Sequence, residues 1–198
     1  PRHAPSPTRP SLNLKTSPPF PLPPSPSLPR YSDTIPFRQR SETPDIAIEL
    51  SLQPWRAFHP DGVIFFSDIL TPLPALGIEF DVVKGRGPVI PAPVRTMEAV
   101  KALRPLDDPT ASLPFIRTIL SSLRAEIAGG DPGAGVAEAP ALLGFVGTPW
   151  TLAAYAVEGK ADKHCMVTKT LMRQDPATLH AFLSHLSDAI AAYCVYQI

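Results

Sequence analysis

Cysteine is scarce in this chain. Only Cys165 and Cys194 occur in 198 residues, which excludes a disulfide scaffold, and no CxxC pair suggests structural zinc. A charge surplus is missing too: 18 Lys and Arg balance 18 Asp and Glu, so nucleic-acid binding lacks the basic excess it usually needs. No GxGxxG follows an apolar run and no GxxxxGK[ST] exists, which leaves nucleotide binding without support. There is no HExxH, and His180 and His185 stand five apart, so they do not share a helical face. His164 beside Cys165 makes a weak metal site without further ligands. Ser67 and the other serines lack a G-x-S-x-G context. The longest uncharged run, residues 139–157, is long enough for a membrane helix. Yet Pro140 opens it, Pro149 interrupts it, and Gly144, Gly147, Thr148 and Thr151 break its apolar surface. A strand, a turn and a helix fit it better than a membrane span.

Proline is what the chain has in excess. Eleven of its 27 prolines precede Tyr31, together with Arg2, Arg9, Lys15 and Arg30 and no acidic residue before Asp33. Proline this dense forbids helix and sheet and favours extended, solvated chain. Basic, Ser-containing, acid-free composition matches an organelle transit peptide, with a Pro-rich linker as the alternative. Residues 1–36 are therefore expected to be a disordered, transit-like segment and residues 37–198 the folded domain. Apolar residues make up 44% of the chain, enough for a real core.

From Thr43 onward helix and strand alternate. Thr43-Pro44-Asp45 reads as a helix start: a hydroxyl cap, proline at the first helical position, and an acid at the positive dipole end. Pro54 is expected to kink or end that helix. Val63-Ile64-Phe65-Phe66 is an apolar run of β-formers, expected to be a buried strand ended by Ser67-Asp68. Residues 78–90, with Lys84-Gly85-Arg86-Gly87 in the middle, read as a small hairpin. Asp108-Pro109-Thr110 should open one helix carrying Leu113, Ile116, Leu120, Leu123 and Ile127 at helical spacing, stopped by the glycines of 129–133. Residues 141–146 form the second clear strand. Asp175-Pro176 starts a long amphipathic helix through Leu179, Phe182, Leu186 and Tyr193. Buried strands alternating with such helices imply a parallel α/β architecture. Two strong strands make only part of one.

Asp68 is the acid of most interest. It follows four apolar strand residues, and in β/α folds the carboxyl ends of strands face the ligand crevice. A carboxylate there can accept ligand N–H groups or stabilise a developing cation. Equally, Asp68 or Ser67 can simply cap the following turn.

The block Gly144-Phe145-Val146-Gly147-Thr148-Pro149-Trp150-Thr151-Leu152-Ala153-Ala154-Tyr155-Ala156-Val157-Glu158-Gly159 closely resembles a signature of the uroporphyrinogen decarboxylase family. Leu52-Gln53-Pro54-Trp55-Arg56, Ile64-Phe65-Phe66-Ser67-Asp68-Ile69-Leu70 and Gly85-Arg86-Gly87-Pro88 agree with it, so the resemblance runs from about Arg38 to Ile198. Arg40-Ser41-Glu42-Thr43-Pro44-Asp45 and Gly159-Lys160-Ala161-Asp162-Lys163-His164 look most like plastid forms, which implies a chloroplast stroma location and a transit peptide. The resemblance implies roughly the first half of a (β/α)₈ barrel, a homodimer in the full-length family, and neither metal nor organic cofactor. The implied reaction removes four CO₂ from uroporphyrinogen III to give coproporphyrinogen III for haem and chlorophyll synthesis. It assigns Asp68 as the essential aspartate, Tyr155 as a hydrogen-bonding partner near the reacting acetate, and Phe145 as pocket lining.

The departures from the family are two. Its Arg-Gln-Ala-Gly-Arg run, expected upstream of Arg38, is missing, and its role does not pass to Arg38 or Arg40. The pocket serine and histidine of the family would lie beyond Ile198. Residues 1–198 are accordingly expected to be an inactive fragment. Two rival readings remain: a corrinoid-linked methyltransferase of the same barrel superfamily, and a non-catalytic tetrapyrrole-binding remnant.

Overall fold

Helix α1 (Phe37–Glu42) and helix α2 (Pro44–Phe58) meet at Thr43. The computed structural model describes residues 34–198, so nearly all of the Pro-rich segment anticipated over 1–36 lies outside the described residues. Thr43 occupies the N-cap of α2, with Pro44 next to it and Asp45 in the first turn, but its hydroxyl makes no capping bond. Thr43 also closes α1, its N–H donating to Gln39 O at 3.0 Å. Pro54 does not end α2 either. The helix runs on to Phe58 and closes where the His59 N–H meets Trp55 O at 2.8 Å. Pro54 is exposed, so its missing hydrogen bond falls on the solvent side. Leu52 and Trp55, both buried, anchor the helix across it.

Strand β1 (Gly62–Ile64) follows. Then comes the anticipated hairpin of β2 (Asp81–Val83) and β3 (Gly87–Val89), antiparallel with Val83 opposite Gly87. Helix α3 (Met97–Lys101) is capped by Thr96, whose hydroxyl accepts the Ala99 N–H at 3.2 Å. The single helix expected from Asp108 is two. Asp108 caps one short turn, α4 (Pro109–Ser112), accepting the Ala111 N–H at 3.0 Å. Pro114 then pushes Leu113 out of helical geometry, at φ −136° and ψ 53°, before α5 (Pro114–Ile127) begins. The anticipated apolar stripe survives the break: Leu113, Ile116, Leu120, Leu123 and Ile127 are all buried.

Strand β4 (Ala141–Leu143) pairs with β1 in parallel, Val63 opposite Leu142 and Ile64 opposite Leu143. One bond continues past the ladder, from the Phe65 N–H to Leu143 O at 3.0 Å. Both strands are shorter than their apolar runs because residues 66–70 and 144–148 leave the ladder, the first segment turning at Ile69 and Leu70 and the second running irregularly to the next helix. Helices α6 (Pro149–Glu158), α7 (Met166–Gln174) and α8 (Pro176–Gln197) complete the order. Asp175 opens α8 as anticipated, accepting the Thr178 N–H at 3.1 Å.

The architecture is α/β. Among the described residues the strands form two two-stranded sheets and no closed barrel. The core gathers Leu52 and Trp55 of α2, Val63 and Phe65, Ile116, Ile119 and Leu123 of α5, Leu152 of α6, and Phe182, Leu186 and Tyr193 of α8. Each large apolar side chain fully buried there contributes about 1.5–3 kcal/mol. Among the described residues no helix is long and apolar enough to cross a membrane.

Candidate functional site

Parallel pairing makes β1 and β4 end on the same side, so the segments that carry Asp68 and Phe145 leave the sheet as neighbours. Gly147 lets them touch. A Cβ at that position would collide with Leu152 Cδ1 and stand 3.2 Å from Ile69 Cβ. The Asp68 loop is also fastened to α2. Ser51 donates its hydroxyl to Ala47 O at 2.7 Å and accepts the Phe66 N–H at 2.8 Å. Phe66 in turn meets the Phe37 ring of α1, with centroids 5.7 Å apart.

Asp68 is only 9% exposed. Its Oδ1 accepts the Leu70 N–H at 2.9 Å, and its carbonyl accepts the Thr71 N–H at 3.1 Å. One carboxylate oxygen therefore caps the turn, which is the structural role the sequence left open. Among the described residues nothing hydrogen-bonds the other oxygen, Oδ2. Burial pushes the carboxyl above the usual aspartate range; the Leu70 N–H opposes that shift, Glu42 adds to it, and Arg38 opposes it. Arg38 is itself engaged, by Glu42 at 2.7 Å and by Phe80 O at 2.8 Å.

Beneath this loop lies Tyr193 of α8, fully buried, its hydroxyl without a partner among the described residues. Burial drives its phenol well above the ordinary range, and the nearby Ser67 hydroxyl offsets part of that without forming a bond of good geometry. Sequence reasoning did not single out Tyr193, Ser51, Arg38 or Glu42 for the Asp68 loop. The contacts that tie them to it span from 15 residues (Ser51 to Phe66) to well over a hundred, and no local spacing encodes them.

Phe145 is half-buried, and its backbone is clasped by one side chain. The Gln197 amide accepts the Phe145 N–H at 2.9 Å and donates to Phe145 O at 3.1 Å. Tyr155 sits on α6, whose first turn is capped by Thr148 Oγ1 accepting the Thr151 N–H at 3.3 Å. Tyr155 is half-buried and lines an open cavity of about 400 Å³ with Trp150, Lys160, Asp162, Lys163 and Cys165. Asp68 and Phe145 are not among the residues lining that cavity. The structure thus brings Asp68 and Phe145 to one end of the sheet and sets Tyr155 in a cavity of its own.

The rim of that cavity is rigidly held. Gly159 ends α6 in the left-handed region at φ 79°, and its carbonyl accepts the Ile90 N–H at 2.8 Å. Glu158 Oε1 accepts both the backbone N–H and the hydroxyl of Thr168 at 2.9 Å, which closes the first turn of α7. Asp162 Oδ1 accepts the His164 N–H at 2.7 Å and the Cys165 N–H at 3.1 Å, and the first of these bonds does most to hold its carboxyl below the usual range. Among the described residues no three His, Cys, Asp or Glu side chains gather to hold a metal ion.

The description of one family, "Uroporphyrinogen decarboxylase (URO-D)", matches residues 29–198. The chain is 60% identical over 162 residues to a uroporphyrinogen decarboxylase of Crocosphaera subtropica, covering 82% of this chain and 43% of that protein. It is 57% identical over 162 residues to the Nostoc sp. protein of the same name, with the same coverage. It is 55% identical over 166 residues to that of Gloeobacter violaceus, covering 84% of this chain and 45% of the relative. The chain spans less than half the length of these cyanobacterial relatives. A match over nearly all of the described residues, at this identity, settles its kinship: the chain belongs to the uroporphyrinogen decarboxylase family.

Proposed function

We propose that this chain contributes the Asp68 side of a carboxy-lyase that removes CO₂ from the four acetate arms of uroporphyrinogen III, yielding coproporphyrinogen III. The observation that carries the reading is Asp68 itself: a desolvated carboxylate just beyond the end of a parallel strand, with Oδ2 lacking a partner among the described residues. A porphyrinogen is flexible and can turn its pyrrole N–H groups inward, so one carboxylate oxygen can accept several of them. Hydrogen bonds to a charged group contribute about 1.5–3 kcal/mol each. Protonating a ring carbon of the pyrrole creates a cation, which a nearby carboxylate stabilises. The acetate C–C bond then breaks, its electron pair neutralises the cation, and CO₂ leaves. A second proton turns the remaining exocyclic methylene into a methyl group, and the ring carbon releases the first proton to restore the neutral aromatic pyrrole. The protonated pyrrole is the electron sink, so the scheme calls for no metal or organic cofactor. In this reading Tyr155 hydrogen-bonds near the reacting acetate and Phe145 forms part of the wall.

The same reading takes the β1–β4 pair as early strands of a (β/α)₈ barrel that works as a homodimer. The cyanobacterial relatives support a plastid setting. None of the relatives named above is a corrinoid-linked methyltransferase, so they lend that alternative no support.

Equilibrium binding of uroporphyrinogen III, kept reduced, tests the proposal. Asp68→Ala should weaken binding at least tenfold, the equivalent of about 1.4 kcal/mol. Unchanged affinity would remove Asp68 from the ligand contacts.

A further inference from the structure

We infer that the cavity beside Tyr155 is a carboxylate subsite, in which Lys160 and Lys163 hold the acidic arms of a porphyrinogen pyrrole while Trp150 and Tyr155 flank the ring. The inference rests on the proposed substrate, whose four pyrroles each carry one acetate and one propionate. Both lysines line the same concavity as Tyr155. Among the described residues neither makes an ion pair. The carboxylate they share the cavity with, Asp162, already has Oδ1 occupied by two backbone N–H groups. Two ammonium groups against one engaged carboxylate leave the cavity net positive.

A lone surface lysine is usually solvated and contributes little. This pair differs in its backing. Lys160 bridges to Val89 as an antiparallel partner, and Gly159 accepts the Ile90 N–H, so the rim is tied to the hairpin. Lys163 lies between Asp162 and the two residues whose N–H groups that carboxylate binds. The stems therefore rise from ordered backbone, which lowers the entropy lost when a ligand orders the side chains. A volume of about 400 Å³ lies low in the range of about 300–1,000 Å³ for small-molecule sites. It suits one pyrrole with its arms better than a whole macrocycle. Trp150 is 38% exposed and offers an indole against which such a ring can stack.

The probe is a pyrrole bearing one acetate and one propionate arm, with its dimethyl ester as the uncharged control, titrated into ¹⁵N-labelled chain and followed by amide shifts. The diacid should move the amides of residues 160–165 and the ester should not. Lys160→Gln with Lys163→Gln should weaken the diacid about tenfold, and Lys160→Arg with Lys163→Arg should restore most of that. Both lysines are exposed, so an unchanged melting temperature checks that the variants remain folded. Equal diacid affinity in the Gln variant, shifts confined elsewhere, or no binding at all would overturn the subsite. Uroporphyrinogen III is titrated in parallel. If it binds through Asp68 but ignores the lysines, the subsite falls and the proposed function stands. If the diacid binds at the lysines but uroporphyrinogen III does not bind, the proposed function falls and takes the assigned ligand with it.

Discussion

The two faces of the β1–β4 ribbon differ sharply. On one, Val63 and Phe65 are 1% and 0% exposed, sealed by helices; on the other, Ile64 and Leu143 are 58% and 48% exposed. Side chains alternate along a strand, so adjacent residues of one apolar run report both faces at once. A run that is apolar at every position suits a parallel strand covered on both sides. Here the described residues supply the cover for one side only. The difference teaches that the helices α2, α5, α6 and α8 build their core without the second face, and that stability in this chain comes from the helical side.

Substitution of neighbours tests that contrast most severely. Phe65→Ala should cost about 3–5 kcal/mol, because it removes a ring with no solvent contact and leaves a cavity. Ile64→Ala, one residue away, should change stability by about 0.5 kcal/mol or less. Urea unfolding of the two variants measures both. A comparable loss at Ile64 would mean that something covers the exposed face, and the asymmetry would be gone.

The next effect concerns how the sealed face holds the loop above it. Ser51→Ala removes a hydroxyl that bonds Ala47 O and Phe66 N–H together, leaving the Phe66 donor without a partner where Asp68 begins its turn. An unsatisfied, partly buried donor costs about 1–3 kcal/mol. The prediction is a loss in that range, with faster amide exchange in residues 66–70 than in α5. Exchange that rises equally in both would mean that Ser51 stabilises the fold as a whole and does not fasten this loop.

Much of this was legible in the chain. The Asp175-Pro176 start of α8, the hairpin, the apolar stripe of α5 and the two parallel strands follow from caps, turn residues and periodicity, all of which act within a few residues. What escaped was either a conflict between local signals or a contact distant in sequence. Thr43 sits between two helices, closing the first with its N–H while its hydroxyl leaves the second uncapped. Pro114 breaks a stripe whose spacing looks continuous. Pro54 is harmless because it lies on the exposed side of its helix, which buried Leu52 and Trp55 anchor. At the site, Asp68 stands out by its place after an apolar run and Tyr155 by a family motif, while Lys160 and Lys163 stand in a segment read only for its plastid likeness until the cavity gathers them. The capping role of Asp68 Oδ1 was one of two equal readings, and the geometry adds that the second oxygen remains unengaged.

That division of labour within one carboxylate gives the smallest predicted effect. Burial raises the Asp68 pKa in the folded chain above the ordinary aspartate value of 3.8, so the folded state holds the proton more tightly than the unfolded state. The contribution of this group to stability is therefore greatest below pH 3.8 and declines as pH rises through the folded value, then stays flat. Asp68→Asn keeps an oxygen to accept the Leu70 N–H and removes the desolvated charge. The stability difference, variant minus wild type, should grow from near zero in acid to a plateau favouring Asn at neutral pH. Glu49, Asp162 and Asp175, whose carboxyls are held low by hydrogen bonds, titrate in both proteins and cancel from that difference. A difference that ignores pH, or one that favours Asp at neutral pH, would show that the carboxylate is not desolvated in the folded chain. With its oxygen on the Leu70 N–H, Asn presents an NH2 group where Oδ2 would accept the pyrrole N–H groups, so the same variant should bind uroporphyrinogen III more weakly while unfolding less readily. A site residue that costs stability and contributes binding in this way is under functional constraint, whereas a residue kept only to cap its turn would lose stability without changing affinity.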